Sequence, residues 1–290
     1  MNPRVVRDYI RLAKPGVTAG NVLTALAGYF LAAAHFGFDW LEFIGMTIGM
    51  TLVIGGACAL NNYLDRDIDA KMMRTKTRPS VSGGLNPIGM QLFAWLLFVV
   101  GTGVLALTTN YLTVVIGVIG FVTYVWLYGA WTKRTTVHGT AVGAVSGALP
   151  IVGGYVATAN MLDIGALIVF LIIFFWQFPE FYSISIYRRK EYEAAKIPLM
   201  SVVRGVPATI ELIVVYTVFY VFSTLALVAW SYVGMIYLVV MSVSGGYWIR
   251  LALKGVSAAD TEAWAKRMFR FSMWMILLLC LMLSVGALIP

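Results

Sequence analysis

The stretch Asn61-Asn62-Tyr63-Leu64-Asp65-Arg66-Asp67-Ile68-Asp69 holds the densest set of chemically able side chains in this 290-residue chain. On a helix running through it, Asn61, Asp65 and Asp69 stand at i, i+4 and i+8, on one face with successive residues ~6 Å apart. An amide oxygen and two carboxylates, with no His or Cys beside them, form a hard-oxygen site. That donor set suits Mg²⁺, which binds protein through one or two carboxylates and completes its shell with water and substrate phosphates. Carboxylates this close repel unless a cation lies between them. Downstream, Lys71, Arg74, Lys76 and Arg78 offer charge to a diphosphate, the arginines bidentately. Asp67 falls about 200° round the helix from Asp65 and reads as a surface ion pair. The same residues also describe a solvated loop in which each aspartate pairs with a neighbouring base, and spacing leaves both readings open.

A second polar set lies at Phe174-Phe175-Trp176-Gln177-Phe178-Pro179-Glu180-Phe181-Tyr182. A carboxylate in so apolar a run costs at least ~2.5 kcal/mol to insert into a bilayer, which marks it as functional. On a continuous helix Gln177, Glu180, Tyr187 and Glu191 share one stripe, which Pro179 loosens by removing a backbone hydrogen bond. The surrounding aromatic rings read as core or lipid-facing residues, or as the lining of an isoprenoid channel whose faces stabilise an allylic cation.

The elements that must position these residues are membrane spans. Nine apolar segments, at 16–36, 41–63, 88–109, 112–131, 139–159, 163–187, 208–231, 233–253 and 268–289, are each about 20 residues long, enough to cross a ~30 Å hydrocarbon core. All 21 Lys and Arg residues fall before the first segment or in and immediately around alternate connections, with Arg250 and Arg270 just inside segment ends, and the intervening connections carry none. The positive-inside rule then predicts a nine-helix all-α bundle with a cytoplasmic N-terminus and an external C-terminus. The basic connections are also the long ones, so the chemistry is expected to face the cytoplasm. Glycines at 139, 143 and 147 read as a close-packing helix face, or as a bare face for a bulky substrate.

With 60% hydrophobic and 12% charged residues the chain is no soluble globular domain, and its net charge of +8 reports topology, not a nucleic-acid surface. Cys58 and Cys280 fall inside spans and read as packing residues. The first segment is too long for a signal-peptide core and is expected to be retained, giving one polytopic domain over 1–290.

Several motifs carry a family resemblance: Lys14-Pro15-Gly16 with Asn21, the Asn61–Asp69 motif with Met73-Arg74-Thr75 and Arg78, Lys133-Arg134-Thr135, and Gly143…Ser146-Gly147-Ala148…Pro150. Trp176-Gln177…Pro179 and Glu191-Tyr192…Ile197-Pro198 complete the set. Together they resemble the intramembrane aromatic prenyltransferases of the UbiA-like superfamily, and within it the protohaem IX farnesyltransferase (haem O synthase) branch. The resemblance implies Mg²⁺-dependent transfer of farnesyl from farnesyl diphosphate to a vinyl group of haem b. Water would complete a hydroxyethylfarnesyl side chain, giving haem O for terminal oxidases, directly or by way of haem A. It implies a catalytic set of Asn61, Asp65, Asp69, Glu180 and Glu191, with metal on Asp65 and Asp69. Arg74, Arg78, Lys133 and Arg134 would bind diphosphate, and Gln177, Tyr187 and His138 the acceptor. It also implies a bacterial inner-membrane location, with a haem A synthase or oxidase-assembly proteins as partners. Two residues depart from the family pattern: Glu180 stands where His is usual, and Glu191 where Asp is usual.

The rival readings are a prenyltransferase with a quinone-precursor or chlorophyll-type acceptor, a secondary transporter and a haem-binding subunit. A transporter gathers its charges near the midplane on broken helices, whereas these carboxylates gather at segment ends. His35 and His138, the only histidines, fall on opposite membrane sides, which disfavours a bis-His haem.

Overall fold

The computed structural model describes residues 3–286, and the last residues of the ninth expected segment lie outside that range. A short amphipathic helix α1 (Pro3–Leu12) leads into α2 (Pro15–Phe36) and α3 (Trp40–Leu64), and the single turn α4 (Arg66–Asp69) follows. Next come α5 (Pro87–Thr108), α6 (Tyr111–Val122), which continues as a π-helix over Thr123–Thr132, the turn α7 (Lys133–Thr135) and α8 (Gly139–Ala159). The second half comprises α9 (Ile164–Tyr187), the short α10 (Arg189–Ala194) and α11 (Met200–Val203), then α12 (Gly205–Ala229), α13 (Met235–Leu253) and α14 (Thr261–Gly286). Nine of the described helices are long and apolar enough to cross a membrane, one for each expected segment.

The centre of the bundle is α8, whose most apolar window is 72% buried against 22% for α5 at the rim. Small residues make this possible. A side chain at Gly28 would run into the Ile151 carbonyl and one at Gly154 into the Ala25 carbonyl, so α2 and α8 touch backbone to backbone. The glycine row of α8 does the same work on its other sides. A Cβ at Gly139 would lie 2.9 Å from the Thr132 carbonyl and one at Gly143 3.0 Å from the Tyr128 ring, while one at Gly147 would strike Gln177. Close packing explains all three.

The two ends of the bundle are built differently. At the end without basic residues, α3, α6 and α9 start on Asp39, Asn110 and Asp163, whose side chains accept from the backbone N–H of Glu42, Thr113 and Ala166. These short turns are cross-tied: Thr158 Oγ1 donates to the Gly37 carbonyl (2.8 Å), Asn110 Nδ2 to the Ala157 carbonyl (2.9 Å), and Tyr155 and Tyr232 both to Asp163 (2.9 Å). At the basic end the connections are long enough to fold on each other. Ile68 and Met72 after α3 bury against Ala195 and Ile197 after α9, so the two loops form one small apolar cap.

Candidate active site

The α3 ladder survives past the end of the helix. Asp65 N–H donates to the Asn61 carbonyl (2.9 Å) and Asp69 N–H to the Asp65 carbonyl (2.8 Å), although Asp65 itself sits at φ −83°, ψ 5°. The four-residue spacing is therefore kept across the break. Asn61, Asp65 and Asp69 all point inward, with 2%, 1% and 3% exposure. Asp67 points out, and Arg134 grips it through two 2.8 Å hydrogen bonds. That contact draws the Asp67 carboxyl down to about 2.

Each inward group is met by a cation. Lys133 Nζ lies 2.5 Å from Asp65 Oδ2, and Arg78 lies 2.7 Å from Asp69 Oδ2 and 3.2 Å from Asn62 Oδ1. Lys14 Nζ donates to Asn61 Oδ1 at 2.9 Å. The two readings of the sequence thus converge, because the aspartates do pair with bases, yet the pairs are buried and not solvated. Two of the expected diphosphate ligands are placed differently. Arg74 is exposed and makes no hydrogen bond or ion pair among the described residues. Arg134 is committed to Asp67 and the Leu64 carbonyl, and it reaches Asp65 Oδ1 only at 3.7 Å.

Two buried atoms of the motif, Asp65 Oδ1 and Asn61 Nδ2, have no hydrogen-bond partner. Leaving such an atom unsatisfied costs about 1–3 kcal/mol, so Asp65 Oδ1 is suited to an external cation. No three His, Cys, Asp or Glu side chains among the described residues form a metal cage on their own. The hard oxygens of Asp65, Asp69 and Asn61 fit Mg²⁺ as a partial set that substrate phosphate and water would complete.

The π-helical stretch closes the site from the side. Its wider turn carries Tyr124 and Tyr128 as a stacked pair with centroids 5.8 Å apart, and the Tyr124 hydroxyl lies 3.4 Å from Asn61 Oδ1. Gly129 is required, because a Cβ there would come 2.7 Å from Asn61 Nδ2. π-bulges concentrate at functional sites. Lys133 Nζ lies 5.9 Å from the Tyr128 centroid. Lys14, Tyr124 and Tyr128 were not among the expected site residues. Only Lys14, set by the following Pro15 and held at φ 50°, left a trace in the sequence. Burial, reinforced by the Arg78 and Lys133 charges, pushes its ammonium down to about 8.

The second polar set departs from expectation. The helix stops at Tyr187, Arg188 bends the chain (φ −112°, ψ 18°) and Glu191 lies on α10, while the i to i+4 bonds run on from Arg188 N–H to the Ile184 carbonyl and from Tyr192 N–H to the Arg188 carbonyl. Glu191 pairs with Arg188 at 2.7 Å, leaving its Oε2 buried without a partner. Gln177 is a helix clasp, its Nε2 donating to the Ala144 and Ile173 carbonyls at 2.9 and 3.1 Å. Tyr187 packs on Phe269, centroids 6.0 Å apart, and His138 is an exposed residue at the start of α8. Glu180 is different. It is 9% exposed, and no hydrogen bond or ion pair among the described residues satisfies it. Tyr192 on the neighbouring α10 is held above the usual tyrosine range chiefly by burial.

Known proteins with this arrangement share a family. The "Protoheme IX farnesyltransferase 2" of Pseudomonas putida (strain W619) is 40% identical over 283 residues, 97% of this chain and 95% of that protein. The "Protoheme IX farnesyltransferase" of Sodalis glossinidius is 40% identical over 287 residues, covering 99% and 96%. A solved structure of a UbiA homolog from Archaeoglobus fulgidus bound to DMAPP and Mg²⁺ superposes with a TM-score of 0.73 at 13% identity, covering 96% of this chain and 99% of that one. A structure concerning digeranylgeranylglyceryl phosphate synthase superposes at 0.82 with 16% identity, covering 98% and 99%. At those identities the solved structures speak to the fold. The UbiA prenyltransferase family matches residues 21–281, and with the relatives' identity over nearly the full length, the chain belongs to that family.

Proposed function

We propose that the protein transfers a farnesyl group from farnesyl diphosphate to a vinyl group of haem b, giving haem O. The observation that carries this is the presence of two unlike buried acidic poles. One is an aspartate pair ringed by Lys14, Arg78 and Lys133, and the other is a lone, unsatisfied Glu180. The choice of farnesyl and haem rests on the names of the 40%-identical relatives.

In this reading Asp65 and Asp69, with Asn61, hold Mg²⁺, which when bound supplies positive charge to the diphosphate. Lys14, Lys133 and Arg78 add charge on the leaving-group side, where preorganised cations do most to stabilise a departing anion. Arg74 and Arg134 serve at the rim. The Tyr124 and Tyr128 ring faces border the site where an allylic cation develops. The C1–O bond of farnesyl diphosphate breaks, its electron pair leaving with the diphosphate, and C1 bonds to the terminal vinyl carbon. Water then bonds to the other vinyl carbon and gives its proton to the Glu180 carboxylate. Gln177, Tyr187, Glu191 and His138 position or approach the acceptor.

We place the protein as a single polytopic domain, residues 1–290, in the bacterial inner membrane with this site facing the cytoplasm. Haem A synthase or oxidase-assembly proteins would take up the product. A membrane-impermeant thiol reagent applied outside intact cells should label Met161→Cys and miss Thr77→Cys. Both positions are exposed, whereas neighbouring Thr75 is buried and useless as a reporter. Purified protein with haem b, farnesyl diphosphate and Mg²⁺ should yield haem heavier by one farnesyl group plus water. Prenylation of a quinone-ring acceptor with haem left untouched would overturn the assignment.

A further inference from the structure

The amphipathic α1 does more than lead into the first span. Counting 100° per residue, Val5, Asp8, Tyr9 and Leu12 face the bundle, Val6 and Ile10 face sideways, and Arg7 and Arg11 face away from the bundle. Leu12 is fully buried, while Val6 and Ile10 are 37% and 55% exposed. Together with the start of α5, this lateral face forms an apolar groove of about 390 Å³. Val6, Tyr9 and Ile10 line one wall, and Leu92, Phe93 and Leu96 the other. Tyr9 and Phe93 meet as its floor, centroids 5.1 Å apart. Gly89 leaves room for the Tyr9 hydroxyl, since a Cβ there would lie 2.5 Å from it. From Gly89 to Leu96 the groove follows α5 for ~10 Å in the direction of the membrane interior.

Arg7 and Arg11, four residues apart, occupy the face of α1 next to Ile10 and outside the groove's lining. Both are exposed, and neither forms a hydrogen bond or ion pair among the described residues. Like charges at that spacing oppose helix formation, and an anion held between them reverses the effect. An apolar slot along α5, with two unpaired guanidinium groups on the adjoining face of α1, matches the chemistry of a diacyl lipid with an anionic head.

We infer that this groove holds one acyl chain of an anionic phospholipid, with Arg7 and Arg11 on its headgroup phosphate. The site lies apart from the aspartate pair, and it does not depend on the reaction proposed above.

The full-length protein in non-ionic detergent would be equilibrated with phosphatidylglycerol or with phosphatidylcholine of the same chains, and retained lipid counted by native mass spectrometry. The parent should prefer phosphatidylglycerol by roughly 30-fold, the scale of two basic residues at a membrane surface. Arg7→Gln with Arg11→Gln should erase that preference, and Leu92→Trp, which fills the groove from an exposed position, should lower retention of both lipids. Helical circular dichroism and a single elution peak would establish that each variant is folded. Equal retention of the two lipids by the parent would overturn the inference, as would an undiminished preference in the double variant. Displacement of phosphatidylglycerol by an equimolar amount of farnesyl diphosphate would also overturn it, marking the groove as a path for the substrate's tail.

Discussion

The ends of α3 and α9 are built alike and paired differently. Each long helix breaks near the basic end of the bundle, continues as a short helix (α4 or α10) and presents inward carboxylates, and the two following loops bury against each other. At the α3 end the hydrogen-bonded spacing survives the break, and every inward group has a cation within 3 Å. At the α9 end the ladder passes the break as well, but Glu191 is met only by Arg188, and Glu180 faces the interior with no partner among the described residues. A buried ion pair contributes little net stability but becomes costly when one member is removed. The α3 end is accordingly set to exchange its cations for a ligand of high charge. The α9 end holds a buried carboxyl, Glu180, that no cation among the described residues meets. One pole suits an anionic leaving group and the other an acceptor.

Substituting the aspartates breaks this comparison most severely. Asp65→Asn and Asp69→Asn should each lower turnover by at least ~10²-fold, the scale of removing one preorganised electrostatic stabiliser. Each should also raise the Mg²⁺ concentration needed for half-maximal rate, and Mg²⁺ removal by chelation should silence the parent. Steady-state rates across a Mg²⁺ series check this. Full activity of either variant at the parent's Mg²⁺ requirement would place the leaving-group pole elsewhere.

Glu180→Gln sharpens the contrast from the other side. Without a carboxylate to take the proton from the adding water, turnover should fall by up to ~10²-fold, the usual scale for a positioned base. The KM for farnesyl diphosphate should stay within twofold or so of the parent, because the leaving-group pole is intact. The product should also shift toward a farnesylated haem that lacks the added water, visible by mass. A rise in KM for farnesyl diphosphate with unchanged turnover would instead make Glu180 part of the diphosphate site.

How much of this was legible in the chain depends on the range of the interaction. The nine spans and the Asn61–Asp65–Asp69 face rest on local periodicity, and a helix carries that periodicity directly into three dimensions. The turn at Asp65 did not spoil it, because the i to i+4 hydrogen bonds continue through the break. The i to i+4 bonds also run through Arg188, from its N–H to the Ile184 carbonyl and from Tyr192 N–H to the Arg188 carbonyl, and what spacing did not reveal is that Arg188 itself pairs with Glu191. Lys14 was missed because its partner Asn61 is 47 residues away and only the docking of α2 on α3 brings them together. The π-helix at Thr123–Thr132 has no periodic signature distinct from an apolar α-helix, so nothing in the sequence sets Tyr124 and Tyr128 apart. Gln177 has a structural role that the sequence did not reveal. A polar residue in an apolar span reads as functional, yet here its amide ties α9 to the α8 backbone, and the missing side chain of Gly147 makes room for it.

Lys14 gives a prediction of intermediate size. Loss of its charged hydrogen bond in Lys14→Met should raise the KM for farnesyl diphosphate by about tenfold, since such bonds contribute about 1.5 kcal/mol or more. With its free-site pKa lowered to about 8 from 10.5, Lys14 is charged below that pH and neutral above it. Diphosphate affinity should therefore be flat up to pH 8 and weaken beyond, and Lys14→Arg should remove the dependence. The sign for stability is the reverse. The unfolded chain holds the proton up to about 10.5, so stability gains slightly as pH rises from 8 to 10.5. A pH-independent KM in the parent would remove Lys14 from the leaving-group pole.

The smallest effect is expected at Asp67, and that is its value as a control. It belongs to the same motif as Asp65 and Asp69, carries the same charge and sits on the same turn, yet its side chain is 60% exposed and its partner Arg134 is 28% exposed. Solvent screening leaves such a pair worth little, whatever its geometry. Asp67→Asn should change turnover by less than about twofold, the outcome for a surface pair outside the electrostatic centre. The Arg134 contact holds the Asp67 carboxyl at about 2, below the ordinary 3.8. Its small stabilisation is thus complete above pH 4 or so and disappears as pH falls through 2. Thermal unfolding of parent and variant should coincide below pH 2 and differ slightly at neutral pH. If Asp67→Asn instead cost as much activity as Asp65→Asn, side-chain direction would not be what separates ligand from bystander in this motif, and the division between an inward leaving-group pole and an outward ion pair would fail.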